Sequence, residues 1–115
     1  TKPAQIRKGG STEAMAHRNS YENEEPHHLY EIIDRVDNDV FKYGISCKPI
    51  NQDGTSSRMR EQVNNLNRVD KWTRFFARIL LRVIAGKWEA RRIETEYIQA
   101  YLEKYGKRPR GNPKD

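Results

Sequence analysis

The 115-residue chain predicts an α/β fold of the α+β kind: a small three-stranded antiparallel sheet flanked by helices. Three observations lead there. Two short runs rich in β-branched and aromatic residues, 29–33 and 40–46, are separated by a hydrophilic segment with turn chemistry. Two later stretches repeat apolar residues at helical spacing. A third apolar run, 74–84, lies between the helical stretches and ends at a glycine.

The elements follow in order. Residues 1–26 read as a flexible linker or junction, with Gly9-Gly10-Ser11-Thr12, an acidic cluster around Asn23 and then Pro26. The globule, 27–115, is expected to start near His27. Asp34-Arg-Val-Asp-Asn-Asp39 supplies the turn of a hairpin, and if Tyr30 lies opposite Lys42 the two share a face. Gly44 inside the second strand marks a bulge or a close approach by another backbone or a ligand. A loop with Pro49 and Asp53-Gly54 follows, and Ser56 or Ser57 caps a helix whose apolar face is Met59, Val63 and Leu66. Arg58 and Arg60 fall in its first turn, where cations oppose the helix dipole, so helix stability does not explain both.

Residues 74–84 fit two periods. With period two, Ala77, Ile79, Leu81 and Val83 face inward while Arg78 and Arg82 face out. With period 3.6, Arg74, Arg78 and Arg82 share a side. The β-branched content and Gly86 favour a strand. From Lys87 to Tyr105, Trp88, Ile93, Tyr97, Ala100 or Tyr101, and Tyr105 follow helical spacing, and Gly106 is a natural stop. The nine residues after it, 107–115, are too short and Pro-rich for another element.

Composition narrows the function. The lone Cys47 excludes an intrachain disulfide and Cys-based zinc sites. No run approaches the ~18 apolar residues of a membrane span, and no signal-peptide pattern precedes the globule. No helix has the one-sided apolar face that membrane docking requires. A start at Thr1 rather than Met suggests a fragment or a processed piece. The net charge is +6 and unevenly spread: residues 68–110 hold twelve Lys/Arg against five Asp/Glu, whereas 27–67 hold five against six. A basic half beside a neutral half suits a phosphate backbone, although a merely solvated surface has the same look.

Five polar residues stand out by order and spacing: Tyr30 and Lys42 on the hairpin, Arg58 opening the first helix, Glu94 inside the second and Asn112 near the end. Their arrangement resembles the GIY-YIG nuclease superfamily over roughly residues 27–113. Of the family's Gly-Ile-Tyr signature, His28-Leu29-Tyr30 keeps the tyrosine. Of its Tyr-Ile-Gly-x-Ser/Thr signature, Lys42-Tyr43-Gly44-Ile45-Ser46 keeps the glycine and serine, with Lys42 in the second tyrosine's place, as in some divergent members. Arg58 resembles the family's first-helix arginine, with Gln62 where histidine often follows. Glu94, within Ala90-Arg-Arg-Ile-Glu-Thr-Glu-Tyr-Ile98, resembles its metal-binding glutamate, and Asn112 its terminal asparagine. The run 42–46 with the closing Arg-Pro-Arg-Gly-Asn112 is similar to nuclease modules at the C-termini of bacterial polymorphic and contact-dependent toxins.

The resemblance implies an endonuclease that hydrolyses phosphodiester bonds, DNA favoured over RNA, using Mg²⁺ or Mn²⁺ held by Glu94. Arg58 would grip the nonbridging oxygens and Tyr30 position the attacking water or take its proton. Lys42 would favour the phenolate, and Asn112 hold the site together or touch substrate. The setting implied is delivery by a bacterium within a larger toxin, action in the target-cell cytoplasm and a cognate immunity protein, most simply an acidic one. From charge, Arg60, Arg78, Arg82, Arg91, Lys107, Arg108 and Arg110 are candidate nucleic-acid contacts. Each residue has a plainer reading. Tyr30 can be a strand aromatic, Lys42 a solvated cation and Glu94 one of three helix glutamates with Glu89 and Glu96. Arg58 competes with Arg60, and Trp88, Tyr97 and Tyr101 suit a core. Two rival functions remain: a metal-independent ribonuclease using His27 and His28, read otherwise as two exposed histidines, and a non-catalytic basic nucleic-acid-binding module.

Overall fold

The computed structural model describes residues 23–71 and 73–114. The elements run β1 (Pro26–Asp34), β2 (Asp39–Ser46), α1 (Ser57–Asp70), β3 (Phe75–Ala85) and α2 (Gly86–Tyr105). The strands form one antiparallel sheet in the order β2-β1-β3, so the expected α+β architecture is the observed one. Residues 1–22 of the expected linker lie outside the described residues. Packed structure nevertheless reaches back into that linker. Asn23 is buried, and its carbonyl accepts the Lys87 backbone N–H at 2.7 Å. That bond serves the first turn of α2, whose N-cap Ala85 offers no side-chain acceptor.

Because β1 is central, both of its faces are buried, which is why its sequence is nearly continuous in apolar residues. Tyr30 and Ile32 pack with Met59, Val63 and Leu66 of α1 and with Phe75, Ala77 and Ile79 of β3. Leu29, on the other face, meets Ala90 and Ile93 of α2 together with Ile84. Tyr43 packs on Ile98 and Tyr101 of the same helix. Among the described residues, no helix is long and apolar enough to cross a membrane.

Two irregularities alter the expected faces. Tyr30 pairs with Gly44 and Ile32 with Lys42, so Tyr30 and Lys42 share a face diagonally, not as direct opposites. On β3 the register slips twice, between His27 and Leu29 and between Leu29 and Tyr30. Ala77 and Ile79 join the α1-side core, while Leu80 and Ile84, on the parity expected to face out with Arg78 and Arg82, turn to α2. Leu81 and Val83, expected inward, are exposed, Val83 at 78%. Each slip inserts one residue on β3, and two such insertions restore parity, so the α1-side cover simply does not extend past Ile79 to Leu81 and Val83.

Local chemistry fixes the joints. The Asp34 carboxylate accepts the Val36 N–H in the hairpin turn, and Ser56 caps α1 through Met59 N–H. Ser56 is fully buried because its hydroxyl also hydrogen-bonds His28 at 3.0 Å, tying the start of α1 to β1. Asn67 accepts the backbone N–H groups of Arg74 and Phe75, holding the end of α1 to the start of β3. In α2 the buried stripe is Ala90, Glu94, Ile98 and Tyr101. Ala100 and Tyr105 are exposed, so of the alternatives at that position Tyr101 is the core residue.

The tail forms no helix or strand, as expected, yet it is pinned. Gly111 N–H donates to Phe41 O at 2.7 Å, and a side chain at 111 would collide with Phe41 and with the Lys42 stem. Arg110 reaches the Asp34 carboxylate, which Arg74 also grips through two bonds of 2.8 Å. The Arg74 guanidinium, helped by Arg110, holds the Asp34 carboxyl well below the usual carboxylate range despite its burial. A depressed carboxyl stabilises the fold above its unfolded pKa and loses that contribution as pH falls toward the folded value. Asp34→Asn is therefore expected to lose about 3 kcal/mol at neutral pH. In chemical denaturation the gap from wild type should narrow as pH drops below about 4.

Candidate active site

A cleft of about 720 Å³ gathers residues from β1, β2, both helices and the tail. β1 contributes His27 and Tyr30, β2 contributes Lys42 and the stretch from Gly44, and α1 contributes Arg58 and Gln62. Lys87, Arg91 and Glu94 come from α2, and Gly111, Asn112 and Lys114 from the tail. All five residues singled out in the sequence thus line one cavity, across 82 positions of chain from Tyr30 to Asn112. Both helices present residues of their N-terminal halves to it.

Tyr30 is 1% exposed, and its ring lies directly over Gly44. A Cβ at position 44 would stand 2.5 Å from the phenol carbon and oxygen, so the glycine exists for close approach by a neighbouring side chain. The Tyr30 hydroxyl donates to Gln62 Oε1 at 2.5 Å. Burial pushes the phenol up to about 12, and the Arg58 guanidinium is the cation that opposes the rise. Lys42, which lines the same cleft, is itself lowered by burial and by Arg58.

Glu94 occupies a core position on α2 and is 7% exposed. Burial raises its carboxyl, while Arg91, Lys42 and Lys87 pull it back toward ionisation. Arg91 Nη1 lies 3.2 Å from Glu94 Oε1. Of the competing glutamates, Glu89 and Glu96 are both bonded to Arg92 on the outer side of α2, away from the cleft lining. Among the described residues no cluster of three or more His, Cys, Asp or Glu side chains gathers. Glu94 is the carboxylate of this cleft lining, so a cation held here would have one protein ligand.

Asn112 is buried and works as a clamp. Its Oδ1 accepts the Tyr43 N–H at 2.8 Å and its Nδ2 donates to Tyr43 O at 3.0 Å. The residue next to Lys42 is thereby fixed from outside the sheet. His27 and His28, read as exposed, are both buried. Burial lowers both imidazoles, and successive strand residues point to opposite faces, His28 toward Ser56.

The model of the family described as URI fold toxin 2 matches residues 20–106, most of the chain. The chain belongs to the URI fold toxin 2 family. The match covers all three strands and both helices, with Tyr30, Lys42, Arg58 and Glu94, and stops before Asn112. Neither the curated proteins nor the solved structures yield a match.

In this toxin domain the charged residues expected to meet nucleic acid divide sharply. Arg91 lines the cleft. Arg60 lies 3.7 Å from Asp53 beside a separate shallow groove on α1, Arg78 pairs with Glu31 and Arg110 with Asp34 and Asp37. Arg108 donates to Asn112 O within the tail. Arg82 and Lys107 are exposed. Four cleft cations or imidazoles escaped the sequence reading: His27 as a cleft residue, Lys48, Lys87 and Lys114. Lys87 had a signal, because 87, 91 and 94 recur on one helix face. Gly44→Ala is expected to destabilise the domain by about 1–3 kcal/mol through the collision with the Tyr30 ring. A double-mutant cycle with Tyr30→Ala should remove most of that penalty in thermal or denaturant unfolding.

Proposed function

We propose that this toxin domain is a metal-dependent endonuclease of the GIY-YIG type that hydrolyses phosphodiester bonds with Mg²⁺ or Mn²⁺. The observation that supports it is the meeting of Tyr30, Lys42, Arg58 and Glu94 in one cleft, with a surplus of cations around a lone carboxylate. The residues fit such an ion: Mg²⁺ keeps most of its waters and is commonly held by one or two carboxylates plus substrate phosphate. When bound, the ion supplies Lewis acidity to the phosphate and steadies the leaving oxygen.

The chain's own groups do the rest. Tyr30 donates its hydroxyl hydrogen bond to Gln62 Oε1, so its oxygen would meet an attacking water as an acceptor, beside the Arg58 guanidinium that already acts on it. With the phenol held at about 12, positioning water is its role in the resting site, and proton transfer waits on cations gathered around it. Arg58 offers a planar fork to nonbridging oxygens, and Lys42 adds a second charge from β2. Asn112 positions Lys42 by clamping the adjacent Tyr43 backbone. Water as nucleophile requires no 2′-hydroxyl, which is why DNA is favoured and RNA remains the second substrate to test. The setting that goes with this reading is a larger bacterial toxin delivered into a target cell, where the domain acts in the cytoplasm. A cognate immunity protein, acidic where it covers the cleft, completes it.

Incubation of the purified chain with plasmid and with total RNA, with and without Mg²⁺, tests the proposal directly. Cutting should require the metal and stop with EDTA. Glu94→Gln should lower the rate about 10³-fold and Tyr30→Phe about 10²-fold. EDTA-resistant RNA cleavage lost in His27→Asn would instead favour a histidine ribonuclease. Tight, salt-sensitive binding with no cleavage under any divalent ion would leave only a binding module.

A further inference from the structure

The two neighbouring arginines of α2 are partnered very differently. Arg92 is held by Glu89 through both Nε and Nη2 and by Glu96 through Nη1, so each of its donor nitrogens is engaged with a carboxylate. Arg91, on the cleft side, makes one contact of 3.2 Å from Nη1 to Glu94, and its Nε is buried without a hydrogen-bond partner. A buried donor of a charged group that stays unmatched is unfavourable and rare. Here it belongs to a side chain that lines the cleft and touches the one carboxylate in the lining.

We infer that Arg91 is an exchangeable counter-ion: it covers Glu94 in the empty cleft and passes to a substrate phosphate when a divalent cation takes the carboxylate. The inference rests on the nuclease reading and adds a role to it. Glu94 is 7% exposed, and a carboxylate in so dry a place is costly without a partner, which the guanidinium at 3.2 Å provides before substrate arrives. Arg91 meets Glu94 through Nη1 alone, whereas a phosphate can be bonded by two guanidinium nitrogens in parallel and so take up the Nε that Glu94 leaves unmatched. Lys42 and Lys87 also act on Glu94, so a dication alone meets a positively charged site and Arg91 already on its ligand. An ion entering with phosphate meets neither obstacle, because the phosphate neutralises the lysines and draws Arg91 away. The cleft therefore loads metal and nucleic acid together.

Arg91→Gln tests this by two opposed readouts. Binding of a short duplex DNA and of an RNA hairpin is measured by anisotropy with Ca²⁺ in place of Mg²⁺, so that a divalent ion is present without cleavage, and Mn²⁺ binding to the protein alone by electron paramagnetic resonance. The variant should bind the preferred nucleic acid about tenfold more weakly, with the salt slope reduced by about one, while binding Mn²⁺ about tenfold more tightly. Arg91→Lys should restore weak Mn²⁺ binding but only part of the nucleic-acid affinity. Arg92→Gln should change neither, and matched melting temperatures exclude misfolding. Loss of both affinities together, or no change in either, overturns the exchange. Failure of the nuclease reading looks different: wild-type protein would cut neither nucleic acid in Mn²⁺, and Glu94→Gln would leave Mn²⁺ binding unaltered.

Discussion

One buried carboxylate holds the architecture in register. Asp34 ends β1, shapes the hairpin turn through Val36, takes two bonds from Arg74 at the entrance to β3 and receives Arg110 from the tail. Three segments far apart in sequence therefore converge on a group that cannot be left unpaired in a dry environment. The tail has few apolar anchors of its own. Ion pairing at Arg110, with the same guanidinium over the Phe41 ring, sets where Gly111 and Asn112 fall, and so what borders the cleft.

The cleft obeys a second constraint, that of charge in a confined space. Tyr30, Lys42 and Glu94 all have their less charged forms favoured by burial, and the cations present only partly offset it. A site with these properties is poised rather than committed: each group's proton occupancy depends on what else enters. A polyanion with its counter-cations suits such a site better than a neutral ligand does. The same surplus of positive charge fits a toxin whose neutralisation demands an acidic cover, the partner proposed above.

Much of this was legible in the sequence. The hairpin, the apolar face of α1 and the Gly106 stop announced themselves through turn chemistry and period, and the structure has them. The order Tyr30, Lys42, Arg58, Glu94 marked residues that do share a cavity. What stayed hidden depends on contacts rather than pattern. The exposure of Leu81 and Val83 escaped because local alternation does not tell where the cover over a sheet face ends. Arg110 looked like a surface cation because its partner, Asp34, lies 76 positions away. The histidines looked exposed after Pro26, yet Ser56 and the packing around β1 enclose them. That the Arg58 guanidinium acts on the phenol is likewise a matter of side-chain placement, which helix position alone does not give.

The bonding of Asn112 to Tyr43 has a consequence for assembly. A carboxamide is chemically a peptide group on a short tether, so it saturates one rung of the β2 border without offering a new rung beyond itself. Gly111 does the same for Phe41 with its main chain. The sheet thus carries its own chain-stopper on one side.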